Sequence, residues 1–259
     1  MIRVRRPEEV PARLSVDGAA EARGLCAAIE AAPTAWMGFE FKAAVYGHDS
    51  VRRVLLTAQH HKCAFCEQRI SVANEGDVEH FRPKGGWQAH RGDTLHRPGY
   101  YWLAYAWGNL LVTCRSCNSR LHKGNLFPLA VESARARSHR DDVSAERPLL
   151  VDPAAEEPSD FVRFRRHMPY APRGNARGVE TIRVLGLDRT ALRDRRRELF
   201  ARLRALADVA RQGPTEALRT RARAALVRCA QADAEFSAMA RDFLVEEDDA
   251  AGGRSQPAG

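Results

Sequence analysis

Two Cys-x-x-Cys pairs, Cys63/Cys66 and Cys114/Cys117, constrain this 259-residue chain more than anything else in it. Four thiolates in two such pairs suit one tetrahedral zinc, a closed site that builds structure and performs no chemistry. A zinc ribbon usually separates its pairs by roughly 15–20 residues, whereas 47 residues lie between Cys66 and Cys114. The insert is therefore too long for a plain ribbon and reads as a functional element held at both ends by the metal. A thioredoxin-like redox site would use one pair, and the presence of two argues against it.

Inside the insert stands Val78-Glu79-His80-Phe81-Arg82-Pro83-Lys84. A neutral imidazole is a natural general base near pH 7, and a neighbouring carboxylate is a natural hard ligand for Mg²⁺. Successive strand residues face opposite sides, so one of Glu79 and His80 must be re-aimed for both to act, and Pro83 with Gly85-Gly86 supplies a break. Asn109 suits a role in fixing the segment that bears His80 through paired amide hydrogen bonds. Asn118, directly after the fourth cysteine, is placed to offer an amide oxygen to the same metal as Glu79.

The predicted architecture is α+β. Helices are expected over Ala19–Ala32, Phe39–Tyr46 and Val51–His61, the last capped by Asp49 or Ser50, with His60 and His61 in its final turn. Gln68–Val72 and Gly76–Phe81 are expected to form a hairpin around Asn74-Glu75-Gly76. Gly85–Gly99 reads as a surface loop and Tyr100–Trp107 as an aromatic helix, packed in the core or stacking on bases. Asn118–Lys123 should start a helix. Leu149–Pro153 and Phe161–Phe164 read as short strands. Helices follow over Gly178–Leu185, from Asp188 to Arg211, from Pro214 to Gln231, and on to Leu244. The segments are then an N-terminal helical part (1–62), a zinc-knuckle core (63–130), a linker with short strands (131–172, charged over 133–146), an Arg-rich helical region (173–245) and a disordered tail (246–259). Cys26 and Cys229 read as buried structural thiols.

The net charge of +8 points to a polyanionic partner, and its distribution narrows the choice. Between Arg173 and Arg228 there are 15 Arg against 6 Asp and Glu. That surface is predicted to bind nucleic acid, or alternatively a partner protein. No apolar run is long enough for a bilayer span and the N-terminus lacks a signal-peptide core, so a cytoplasmic chain without membrane contact is expected.

The two knuckles, Val78-Glu79-His80-Phe81-Arg82-Pro83-Lys84, Asn109-Leu110-Leu111 and Cys117-Asn118 together resemble the HNH endonucleases, a ββα-metal fold. Tyr101–Tyr105, Lys123–Leu129, Leu150–Pro153 and Thr181–Leu187 are further similar to the PtuB-type HNH proteins of Septu and retron-associated antiphage systems. The resemblance implies His80 as general base, Asn109 as the group orienting it, and Glu79 with Asn118 as ligands of one catalytic Mg²⁺ or Mn²⁺. Many members carry His where this chain has Asn118. His122, four residues on, is therefore an alternative third ligand. Arg82, Lys84, Arg115 and Lys123 become candidate phosphate contacts. The implied partners are nucleic acid, DNA before RNA, and an ABC/AAA-type ATPase of the PtuA kind. A zinc-stabilised nucleic-acid-binding module without catalysis is the alternative function.

Overall fold

In a computed structural model of the chain, residues 1–71 and 76–252 are described. The fold mixes helices with two small antiparallel sheets. A π-helical turn, Arg13–Gly18, runs into α1 (Ala19–Ala31). Of the predicted Phe39–Tyr46 helix only its end is helical, as α2 (Ala43–Tyr46). The residues before it are tied down by tertiary contacts instead: Lys42 N–H donates to the Tyr105 hydroxyl at 2.8 Å, and Phe39 packs on Tyr101 with ring centroids 5.5 Å apart.

The next helix, α3 (Asp49–Ala58), buries Val51, Leu55 and Leu56 on one stripe. Its cap is His48, one residue earlier than predicted, whose Nδ1 accepts from Ser50 N–H at 3.2 Å. His60 and His61 are not in its last turn. Both adopt left-handed backbone, with φ of 54° and 55°, and swing the chain into the first knuckle. Gln59 is buried there and behaves like a strand residue. Its amide accepts from Val112 N–H at 2.8 Å and donates to Val112 O at 2.7 Å.

The strand bearing Glu79 and His80 is β1 (Gly76–His80), and the hairpin predicted between it and Gln68–Val72 lies partly outside the described residues. Strand β1 pairs antiparallel with β2 (Leu110–Cys114), placing Glu79 opposite Leu111 and His80 opposite Leu110. Every β2 residue is buried, so its backbone needs a partner inside the core, and β1 is that partner. Gln68 and Ile70 fold back to make the knuckle, through Cys63 N–Gln68 O and Ile70 N–His61 O bonds of 2.8 Å each. Most of the turn predicted at Asn74-Glu75-Gly76 lies outside the described residues. At Gly76 there is no room for a side chain, since a Cβ there would lie 2.9 Å from Ile70 Cδ1 and 3.0 Å from Thr113 O.

The helix after the second knuckle, α4 (Arg115–Asn118), ends where one was predicted to begin. The aromatic segment forms two 3₁₀ turns, Tyr101–Leu103 and Trp107–Asn109, and not a continuous helix. Tyr100, Tyr101 and Tyr105 are buried, so these rings belong to the core and do not form a base-stacking face. The stretch predicted as a charged linker carries two buried charges, Arg135 and Glu146. Tyr100 donates to Glu146 Oε1 at 2.7 Å, and the Arg135 guanidinium stacks 3.6 Å from the Trp87 ring centre.

Leu149–Pro153 forms no strand, whereas β3 (Arg163–Arg165) pairs with β4 (Met168–Tyr170). Helix α5 (Ala176–Leu185) is capped by Asn175, whose Oδ1 accepts from Arg177 N–H at 3.0 Å. The long α6 (Thr190–Gln212) starts without a side-chain cap from Asp188, and α7 (Glu216–Cys229) is capped by Thr215. The last helix, α8 (Ser237–Gly252), runs past the predicted end at Leu244, and Glu247 pairs with Arg211 of α6. The remaining seven residues lie outside the described ones. Cys26 and Cys229 are half-buried and not fully enclosed. One continuous apolar core links Leu14, α3, both knuckles, β2 and α6–α8. Among the described residues no helix is long and apolar enough to cross a membrane.

The arginine surplus changes meaning in three dimensions. Eight of the fifteen arginines between Arg173 and Arg228 form ion pairs with carboxylates. Arg196 is buried beneath Phe164 and Phe236, and Arg189 turns inward to the cysteines. Part of the surplus thus cross-links the helical region, while ten of the fifteen arginines remain exposed.

Candidate active site

The four cysteine sulfurs lie within 4.8 Å of one another and all four residues are buried. Cys66 Sγ and Cys114 Sγ are 3.7 Å apart. Zinc–sulfur bonds of about 2.3 Å in a tetrahedron place sulfurs about 3.8 Å apart, so the cluster can hold a metal ion such as zinc. Cys63 and Cys66 come from the turn after α3, while Cys114 ends β2 and Cys117 sits in α4. A metal there fastens the strand pair to the helix side. Arg189 Nη2 donates to Cys117 Sγ at 3.6 Å and approaches Cys114 Sγ at 4.0 Å, which favours the thiolate forms. Nothing in the sequence singled Arg189 out from the other arginines. Among the described residues no other group of three His, Cys, Asp or Glu could hold a metal.

Beside the knuckles opens a cleft of about 700 Å³, lined by Glu79, His80, Lys84 and Asn118 from the predicted set. Both Glu79 and His80 reach it because His80 is the last residue of β1, where strict alternation ends. His80 is buried, and its Nε2–H donates to Ala104 O at 2.8 Å. That bond leaves the Nδ1 lone pair as acceptor, 3.3 Å from Lys84 Nζ. Burial first, and then the Lys84 ammonium, pull the His80 pKa down to about 3, against the opposing bond to Ala104. The imidazole is thus neutral at physiological pH.

This depressed pKa sets a pH dependence of stability. An unfolded imidazole binds its proton near pH 6.5, so below that the unfolded state gains protons the folded state does not. The stabilisation present above pH 6.5 is lost as pH falls through the window toward about 3. Urea titrations should show the unfolding free energy dropping between pH 6.5 and 4, with a shallower slope in His80→Gln. An unchanged slope in that variant would contradict the burial of a neutral His80.

Asn109 is buried and makes paired bonds to the segment after His80. Its Oδ1 accepts from Arg82 N–H at 2.7 Å, and its Nδ2 donates to Arg82 O at 3.0 Å and Leu103 O at 3.1 Å. Glu79 Oε1 is held by Lys123 Nζ at 2.6 Å, and the same ammonium donates to His80 O at 2.8 Å. Glu79 Oε2 makes no hydrogen bond among the described residues. One carboxylate oxygen is therefore anchored, and the other remains for a cation in the cleft. Together with the Asn118 amide, this donor set fits a hard divalent ion.

The predicted phosphate contacts separate. Lys123 is fully buried beneath Glu79 and positions it, so it does not face a substrate. Arg82 turns away from the cleft to pair with Glu146 at 2.8 Å over the Phe127 ring. Arg115 is exposed on α4 but does not line the cleft, which leaves Lys84 within it. His122 bonds Ser119 Oγ at 3.1 Å and packs against Gly186, outside the cleft, whereas Asn118 lines it. Unforeseen lining residues are Tyr46, Arg52, Asp77, Arg97 and Arg120. Asp77 was legible in principle, since it shares a β1 face with Glu79. Arg120 follows Asn118 by two residues, and the others arrive from distant segments.

The site is thus a cysteine cluster that can hold a metal such as zinc, beside a cleft lined by Glu79, His80 and Asn118. The chain is similar to the Septu protein PtuB of Bacillus mycoides, with 38% identity over 159 residues, 61% of this chain and 52% of that protein. It is also similar to the Septu protein PtuB of Bacillus thuringiensis, with 27% identity over 146 residues, 56% of this chain and 43% of that one. The chain thus spans about half the length of the curated relatives it matches. No family model matches it.

Proposed function

We propose that the chain is a metal-dependent HNH-type endonuclease that acts in antiphage defence with an ABC/AAA-type ATPase of the PtuA kind. The observation that carries the catalytic part is the convergence of His80, Glu79 and Asn118 on one cleft, with His80 neutral and Nδ1 its only acceptor atom. The two similar Septu proteins support the defence role. On this reading β1, β2 and α4 are the ββα-metal unit, and the cysteines hold structural zinc.

A phosphodiester entering the cleft attracts the Lys84 ammonium and draws it off His80 Nδ1. The freed lone pair takes a proton from water while the water oxygen attacks phosphorus in line and the P–O3′ bond breaks. Glu79 and Asn118 would hold Mg²⁺ or Mn²⁺, which when bound stabilises the negative charge developing on the leaving oxygen. Asn109 keeps the segment after His80 in place, and the Ala104 carbonyl fixes the tautomer.

The test is a cleavage panel of single- and double-stranded DNA and RNA in Mg²⁺ or Mn²⁺, with and without the co-expressed ATPase. Metal-dependent cleavage of DNA is expected, with Asn118→Ala requiring more metal for the same rate. An intact panel under every condition would overturn the catalytic assignment. Salt-sensitive binding without cleavage would leave the non-catalytic binding module in its place.

A further inference from the structure

The wall of the cleft facing β1 is built by the N-terminal segment, outside the stretch that resembles the nuclease motif. Phe41, Tyr46 and Arg52 line it. The Tyr46 ring meets the His80 ring edge-on with centroids 4.7 Å apart, and Lys84 Nζ stands 4.6 Å from the centre of the same ring. Tyr105 backs the ring at 6.2 Å. The Tyr46 ring therefore packs against both the candidate base and the Lys84 ammonium, which themselves meet at 3.3 Å. Its hydroxyl makes no hydrogen bond among the described residues, and Tyr46 is one of the residues lining the cleft. Burial, followed by the nearby Tyr105, Glu79 and Asp77, raises its pKa, so the phenol keeps its proton and is a donor.

The chemistry around that donor selects its acceptor. Arg52, Lys84, Arg97 and Arg120 outnumber the carboxylates Asp77 and Glu79 among the described residues lining the cleft. An O–H donor beside an ammonium, in a cleft with a cationic surplus, matches an anionic oxygen. A phosphodiester offers two non-bridging oxygens on one phosphorus, enough for both groups to act on one ligand.

We infer that Tyr46 is a substrate-contacting residue, whose hydroxyl donates to a non-bridging oxygen of the same nucleic-acid phosphodiester that Lys84 neutralises. This rests on the nuclease reading for the choice of ligand. The N-terminal segment then completes the substrate site, beyond any role as a docking surface for a partner.

The experiment measures anisotropy of short fluorescein-labelled DNA, single- and double-stranded, with the full zinc-loaded chain and no divalent ion added. Tyr46→Phe, which keeps the ring and its packing, is expected to weaken binding about tenfold, the scale of a hydrogen bond to a charged group. Lys84→Met should weaken it as well, and the double variant should lose less than the product of the two, because both act on one phosphate. Melting temperatures of wild type and Tyr46→Phe should agree within a few degrees. Wild-type affinity in Tyr46→Phe, or no binding by the wild type, overturns the inference. Cleavage of the same DNA in Mg²⁺ separates it from the nuclease reading. Tyr46-dependent binding without cleavage sinks the nuclease and leaves the phosphate site. Cleavage with Tyr46-independent binding does the reverse.

Discussion

Cys114→Ser is expected to abolish cooperative folding, or to leave a chain that melts below physiological temperature and holds no zinc. The cysteine site joins three parts of the molecule: the turn after α3, the end of β2, and α4. Binding of zinc to such sites contributes about 10–16 kcal/mol near pH 7, which is comparable to or larger than the whole stability of most domains. Losing one thiolate also removes the Arg189 guanidinium's 4.0 Å contact with Cys114 Sγ. Zinc content by a colorimetric chelator should be one per chain in the wild type and near zero in the variant. Circular dichroism should show a lost or strongly lowered transition. An unchanged melting curve together with no zinc in either protein would remove the metal from the account.

Glu79→Gln should produce two large effects with a common origin. The substitution preserves shape but removes the charge opposite Lys123, which is fully buried 2.6 Å away. An ammonium left unpaired inside a protein costs about 3–5 kcal/mol. On the proposed nuclease reading the same change would remove a metal-ligand charge, and metal stabilisation of the transition state is worth several kcal/mol, about three orders of magnitude in rate. Urea denaturation of Glu79→Gln, Lys123→Met and the double variant separates the two. The double variant should recover much of the stability lost by either single one, but none of the activity. If Lys123→Met alone were neutral in stability, the buried pair would not be the anchor its geometry implies.

How much of this was legible beforehand depended on range. The Cys-x-x-Cys pairs are short patterns whose chemistry is local, and their four thiols do meet in one cluster. The Glu79–His80 dipeptide and Asn109 carry their chemistry in the side chain itself, so their presence in one neighbourhood could be argued from the bracket alone. Partnership across the chain could not. The pairing of β1 with β2 follows from the burial of Leu110–Val112, a tertiary fact. His60 and His61 were misplaced because their left-handed backbone serves a turn that no propensity announces. Lys123 and Arg82 looked like phosphate ligands because a cation in sequence carries no mark of the carboxylate it will meet, Glu79 in one case and Glu146 in the other. The arginine count likewise hides the ion pairs that eight of those side chains make. Tyr46 and Arg52 lie before the first knuckle and reach the cleft through tertiary contacts, Tyr46 with Tyr105 and Arg52 with Gly76 O at 3.2 Å.

The most direct measurement is the cleavage rate of labelled DNA by wild type and His80→Ala, at matched zinc content, in Mg²⁺ and in chelator, with the ATPase present. A positioned general base contributes about 10²–10⁴-fold. The wild type should cleave only with the divalent ion, and His80→Ala should be slower by about three orders of magnitude while remaining folded. Equal rates in the two proteins, or cleavage that persists in chelator, would contradict the assignment of the Glu79–His80 cleft as the catalytic centre.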